Sequence, residues 1–220
     1  IDQSILMHTS IGTALAVIVF TSISSLYAHH RHGAILWRNF VKLTPTILLG
    51  SYSGAILAKY LSFDFLRVFF ALFEICVALI MWFGISASGH ADKLSRWVWS
   101  FAGYVIGLIS AMVGIGGGTM TTPFLVYNNI QIKNAIATSA AVGMPIAIAG
   151  SIGFMVAGSS QVLQTGGIGF VNFEALITIA ASSVFFAPLG AKVTHLIDSN
   201  KLKKGFSIFL AFLAAMVILF

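Results

Sequence analysis

Long apolar runs alternate with short polar segments along this chain. The runs fall at about Ile5–Ala28, Thr44–Leu61, Leu66–Ile85, Trp97–Val113, Ala135–Ala157, Phe173–Leu196 and Gly205–Phe220. Each approaches the roughly 20 apolar residues that a helix needs to cross the hydrocarbon core of a bilayer. The segments between them, His29–Lys42, Ser62–Asp64, Ser86–Arg96, Gly158–Asn172 and Asp198–Lys204, carry most of the charge. Tyr27, Trp37, Tyr60, Trp82, Trp97, Trp99 and Tyr127 gather near the ends of the runs, as interfacial aromatic residues do. The pattern predicts an all-α integral membrane protein, a polytopic bundle of transmembrane helices. The many Phe residues are read as packing.

Composition agrees. Hydrophobic residues make up 58% of the 220 and charged residues only 8%, where a soluble domain carries about a quarter charged residues. The net charge of +6 comes from cations set between apolar runs, as the positive-inside bias produces. Nucleic acid is therefore not an expected partner, since it needs a basic stripe in polar surroundings. Cys76 is the only cysteine and lies within an apolar run, so neither an internal disulfide nor a thiolate metal cluster is expected. No basic stretch precedes the first run, and no signal peptide is read.

The chain also resembles itself. His8-Thr9-Ser10 opens a run as Ala137-Thr138-Ser139 does, and Ser22 matches Ser151 at the same offset of 129. Gly54-Ala55 then matches Gly190-Ala191, and Leu66 with Phe70 matches Leu202 with Phe206, at an offset of 136. The change of seven falls in the Gly158–Asn172 loop. The order of these matches predicts a duplication: residues 1–85 form a first, N-terminally incomplete repeat, 86–96 a connecting loop and 97–220 a second repeat. The second copy is preceded by a glycine-rich element, and a longer natural protein is expected to carry its counterpart upstream of Ile1.

That element, Gly114-Ile115-Gly116-Gly117-Gly118, is the strongest local signal. Glycine in a helix interior costs about 1 kcal/mol relative to alanine, so the cluster predicts a broken helix, with Gly114 and Pro123 marking the break. Thr119 to Pro123 would begin a second short helix. Its N-terminus would present bare amides and a positive dipole end, an anion-binding arrangement, at membrane depth, where irregular backbone is tolerated only against protein or a water-filled cavity. Close helix packing by small residues is the alternative; Gly114 and Gly118 do stand four apart. No Lys-Ser or Lys-Thr follows, which excludes the usual phosphate-binding loop.

The glycine motif, Pro123 and the Ala137-Thr138-Ser139 that follows resemble the TauE/SafE family of sulfite exporter-like permeases over nearly the whole chain. The resemblance implies a secondary transporter of small anions in the cell (inner or plasma) membrane, with sulfur oxyanions or organosulfonates as the substrate class. Alternating access would turn about a midplane site at the glycine-broken helices. The expected site comprises Gly116, Gly117, Gly118, Thr119, Thr138 and Ser139, with Thr9 and Ser10 from the first repeat. The hydroxyls also admit a plain helix-packing role. A proton or sodium ion would be the coupling partner. A passive anion channel is the main alternative; an intramembrane enzyme is the other, but no Gly-x-Ser-x-Gly, His-Glu-x-x-His or paired mid-span acids occur. No cofactor, metal or catalytic residue is assigned, and the oligomeric state is left open.

Glu74 sits mid-run, where an acid defaults to a functional reading: it either exchanges a proton or pairs with a buried cation. Glu174, at a run's start, reads as a helix N-terminal charge. His29, His30 and His32 read as a solvated basic loop, and Lys59 and Lys192 as cations reaching the interface. Two topologies compete. If Trp97–Tyr127 crosses once, the repeats run parallel and the cations divide five to seven. If it enters and turns back, the repeats are inverted, with only Lys59 and Arg67 on one side and ten cations on the other. The positive-inside bias favours the inverted arrangement, with the ten-cation side cytoplasmic.

Overall fold

The computed structural model of the chain describes residues 3–31, 33–83, 95–159, 166–183 and 199–219. Helices α1 (Gln3–Arg31), α2 (Trp37–Ala58), α3 (Phe63–Phe83), α4 (Arg96–Val113), α5 (Gly118–Tyr127) and α6 (Ile132–Ala157) follow one another. A two-residue strand pair, β1 (Gly167–Ile168) and β2 (Val171–Asn172), leads into α7 (Phe173–Ser183) and then α8 (Ser199–Leu219). Among the described residues, α1, α2, α3, α4 and α6 contain the 5 segments long and apolar enough to cross a membrane. Their outward faces stay apolar, as lipid requires: Leu49, Phe83 and Phe101 are among the exposed side chains.

Several helices reach past the apolar runs into the polar segments: α3 starts at Phe63, α6 at Ile132 and α8 at Ser199. The polar segment His29–Lys42 is helical at both ends, because α1 continues to Arg31 and α2 starts at Trp37. Helical backbone satisfies its own hydrogen bonds whatever its side chains, so helices outlast their apolar stretch at the interface. The Gly158–Asn172 loop holds the strand pair, where Gly167 faces Asn172 and Ile168 faces Val171. Phe170 caps this turn, with its N–H donating to the Phe154 carbonyl at 3.2 Å.

The core is a set of close helix contacts made through glycines. α2 carries Gly50 and Gly54, and α4 carries Gly103 and Gly107, a four-residue spacing on each helix that lets membrane helices approach. A Cβ on Gly50 would run into the Tyr104 carbonyl, and one on Gly107 into the Ile47 carbonyl. Contacts advance together along both helices, so α2 and α4 are parallel. Ser51 donates to the Ile146 carbonyl at 2.8 Å, and Gly153 packs on Ala55, so α6 also runs parallel to α2. α1 runs the other way: Gly12 meets Phe154, and Leu15 meets Gly150. α3 and α8 are antiparallel as well, with Ser207 donating to the Ala78 carbonyl at 2.7 Å and Lys204 lying over Trp82.

α4 and α5 do not form one crossing. The Trp99 ring, near the start of α4, packs edge-on against Phe124, near the end of α5, at 5.1 Å. A continuous helix would hold those residues about 37 Å apart. The chain enters, breaks and returns to the face from which it came, so α6 starts on that face too. Arg31, Arg38, Lys42, Arg96, Lys133 and Lys204 then lie at one end of the bundle, and Lys59 and Arg67 at the other.

A side chain at Gly107 must separate α2 from α4. Gly107→Leu is expected to destabilise the bundle by about 1–3 kcal/mol, read as a lower Tm and less monodisperse protein in detergent. Gly205→Ala, where an added Cβ meets nothing within 4 Å, should leave the Tm unchanged or raise it.

Candidate functional site

The turn between α4 and α5 is built from the last turn of α4. Gly114 takes a left-handed backbone at φ 77°, a conformation in which glycine carries no Cβ penalty. The Gly114 and Ile115 N–H groups both donate to the Ser110 carbonyl, at 2.9 and 3.0 Å. The Gly118 N–H then turns to the Gly116 carbonyl at 2.6 Å, and the Thr121 N–H to the Gly117 carbonyl at 2.8 Å. Among the described residues the N–H groups of Gly116, Gly117, Thr119 and Met120 have no acceptor. They are the orphan donors that open any helix, here held beside Gly143, midway along α6.

Three hydroxyls share this neighbourhood. The Oγ of Ser110 and the Oγ1 atoms of Thr119 and Thr121 are buried without a hydrogen-bond partner, and Ser110 and Thr121 are 1% and 0% exposed. Packing accounts for one glycine of the turn, Gly117. A Cβ on Gly117 would collide with Ile146 and come within 3.4 Å of Val142, whereas one on Gly116 would touch only Ile18, at 3.5 Å. At Gly118 an added Cβ meets nothing within 4 Å. Gly117 is thus committed to its contact with α6, and the open side of the turn is at Gly118.

The other expected residues divide. Ser139 joins the hairpin: its hydroxyl lies 2.7 Å from that of Thr122 on α5, and it also donates to the Ile136 carbonyl at 2.9 Å. Thr138 does not. It faces the α1–α2 connection, where its Oγ1 accepts the Leu36 N–H at 3.0 Å. Thr9 back-bonds to the Ile5 carbonyl at 3.0 Å. Ser10 is exposed along a groove of about 500 Å³ between α1 and α7; the α1 wall of that groove ends at Ile18, the neighbour of Gly116. Pro123 lies inside α5 rather than at the break, because its fixed φ suits a helix and only the Thr119 carbonyl loses its usual donor.

Glu74 is on α3 and 4% exposed, with Oε2 buried and unpartnered. The buried-cation alternative finds no partner: among the described residues the ion pair is Arg67–Asp64 at 3.2 Å, toward the start of α3. His8 turns away from Ser10, with Nε2–H donating to the Ala58 carbonyl at 2.9 Å and its ring 5.1 Å from Phe170. His30 packs edge-on against Trp37, and no cluster of three metal-ligating side chains occurs among the described residues. His32 and Lys192 lie outside those residues, as does the Gly190-Ala191 match.

Ser110, Thr121 and Thr122 were legible only in part. Thr121 and Thr122 stand within the stretch read as the start of the second helix, while nothing in sequence marks Ser110 until its carbonyl is seen capping the break. Chemically, the turn offers amide and hydroxyl donors with no carboxylate among them, at the positive end of a helix dipole. That set suits an anion.

Comparison with known proteins agrees with the architecture. Residues 4–217 match the family described as sulfite exporter TauE/SafE. A "probable membrane transporter protein" of Haemophilus influenzae is 34% identical over 216 residues, covering 97% of this chain and 82% of that protein. One from Methanocaldococcus jannaschii is 27% identical over 200 residues, covering 88% and 73%. Another, from Bacillus subtilis, is 27% identical over 206 residues, covering 90% and 80%. No solved structure gives a significant match. With its apolar helices and these relatives, the chain is a multi-pass membrane transporter and belongs to the TauE/SafE family.

Proposed function

We propose that the protein moves small oxyanions, sulfur oxyanions or organosulfonates foremost, through a site at the α4–α5 turn. The observation that carries this reading is the set of unpaired amides at Gly116, Gly117, Thr119 and Met120 beside the unpartnered hydroxyls of Thr119 and Thr121. Donors left open in a low-dielectric interior cost free energy. A bound tetrahedral or trigonal oxyanion recovers that cost, because its oxygens accept several such donors at once.

Alternating access is supported by the way the helices pair. The segments matched by the internal repeat, α1 with α6 and α3 with α8, each run antiparallel, the relation of an inverted duplication. The cation-rich end is assigned to the cytoplasm. Glu74 is the coupling group in this scheme, since its carboxyl is buried with no cation beside it among the described residues.

The deciding experiment is anion flux into proteoliposomes containing the full-length protein, comparing sulfite, thiosulfate, a sulfonate and chloride with and without a pH gradient. Gradient-driven flux of a sulfur oxyanion is expected. Flux that runs only down the anion's own gradient and ignores pH would make the protein a channel. Gly118→Leu is expected to insert and fold normally yet lose at least tenfold in flux, because its side chain occupies the open side of the turn. Full flux by this variant would remove the site from the turn.

Glu74→Gln mimics the neutral acid permanently. Its flux should no longer respond to an imposed pH gradient, measured in the same vesicles. A response equal to that of the unmodified protein would leave Glu74 a structural residue.

A further inference from the structure

A second cavity lies away from the glycine hairpin, between the second and third turns of α2 and the first turn of α4, with a volume of about 630 Å³. Its polar rim carries Lys42 and Arg96, and its apolar wall is formed by Val41, Pro45 and Trp99. The Lys42 Nζ stands 5.2 Å from the centre of the Trp99 ring, and neither cation has a carboxylate within ion-pair distance among the described residues. Both are exposed, and the cation–π contact to Trp99 leaves the Lys42 ammonium open to further partners. Trp97, beside Arg96, is 85% exposed. It marks this end as the level where aromatic side chains meet lipid headgroups.

The backbone adds a polar feature. Pro45 has no N–H, so the Val41 carbonyl at the rim lacks its usual donor from the next turn. Below the cations, Val41, Leu48 and Leu49 present exposed apolar surface along α2. The site therefore reads, from the boundary inward, as two positive charges with no carboxylate partner among the described residues, a carbonyl that lacks its Pro45 donor, and an apolar strip.

We propose that this groove binds one anionic phospholipid. The headgroup phosphate meets Lys42 and Arg96, a headgroup hydroxyl donates to the Val41 carbonyl, and an acyl chain follows Pro45 and Leu49. Charge complementarity selects an anionic lipid over a zwitterionic one, because a choline headgroup would bring its own cation against these two. The apolar wall selects a lipid over a free anion.

The test is native mass spectrometry of the full-length protein released from detergent containing equimolar phosphatidylglycerol and phosphatidylcholine. One retained phosphatidylglycerol is expected. Retention should weaken by roughly fivefold for Lys42→Gln or Arg96→Gln and by roughly thirtyfold for the pair. Lys133→Gln, an exposed cation at the same end, should retain the lipid as the unmodified protein does, and each variant's Tm in detergent should match it. Equal retention by the Lys42→Gln/Arg96→Gln pair would overturn the proposal. So would an equal loss in Lys133→Gln, which would reduce the effect to surface charge. Displacement of the lipid by millimolar inorganic phosphate would also overturn it, in favour of a free-anion site.

Discussion

A peptide group inside a bilayer has no water to turn to, and the architecture follows from where this chain lets peptide groups go unpaired. The concession is made at Gly114–Gly118, where one helix stops and another starts near the middle of α6. It is tolerable where the irregular backbone lies against protein rather than lipid. Ile11 and Ile18 from α1 and Val142 and Ile146 from α6 stand against it, so protein covers the turn on these two sides. Removing that cover would expose the unpaired groups to hydrocarbon, at several kcal/mol each. The close packing of α1 and α6 is thus a condition for the site as much as for the fold.

The glycine interfaces serve the same condition. α4 can deliver the turn to mid-depth only if it lies against α2 without intervening side chains, and Gly50, Gly54, Gly103 and Gly107 remove them. Ser51 then fastens α2 to α6 through the Ile146 carbonyl. It does so beside Pro145, whose missing N–H already interrupts α6. The parallel trio α2, α4 and α6 forms a scaffold against which α1 is set in the opposite direction.

Much of this was legible in sequence, and the reasons differ by element. Helix positions follow from apolar length, which the bilayer fixes, so the spans needed no tertiary information. The break was legible because three adjacent glycines cannot persist in a helix. The return of α5 toward the start of α4 was one of two topologies, distinguished in sequence only by the distribution of cations; the contact between Trp99 and Phe124 gives its geometry directly. Site residues were harder. Thr138 and Ser139 are neighbours in sequence but point about 100° apart on a helix, so only Ser139 meets the hairpin while Thr138 meets Leu36. Gly117 was read as open backbone, yet its missing Cβ makes room for Ile146. Which face of a helix looks inward depends on neighbours remote in sequence, and no local pattern encodes that.

The hairpin also bears on how the chain is made. With the cation-rich end proposed as cytoplasmic, a segment that dips in and comes back leaves both of its flanking cations, Arg96 and Lys133, on the face where synthesis began. The insertion machinery never has to carry either charge across the bilayer, and needs only to admit an apolar loop of helix that closes on itself. The detour also resets parity. A single crossing at this point would have launched α6 from the opposite face, along with everything after it. One buried turn of glycines thereby decides the orientation in which the second half of the protein is threaded into the membrane.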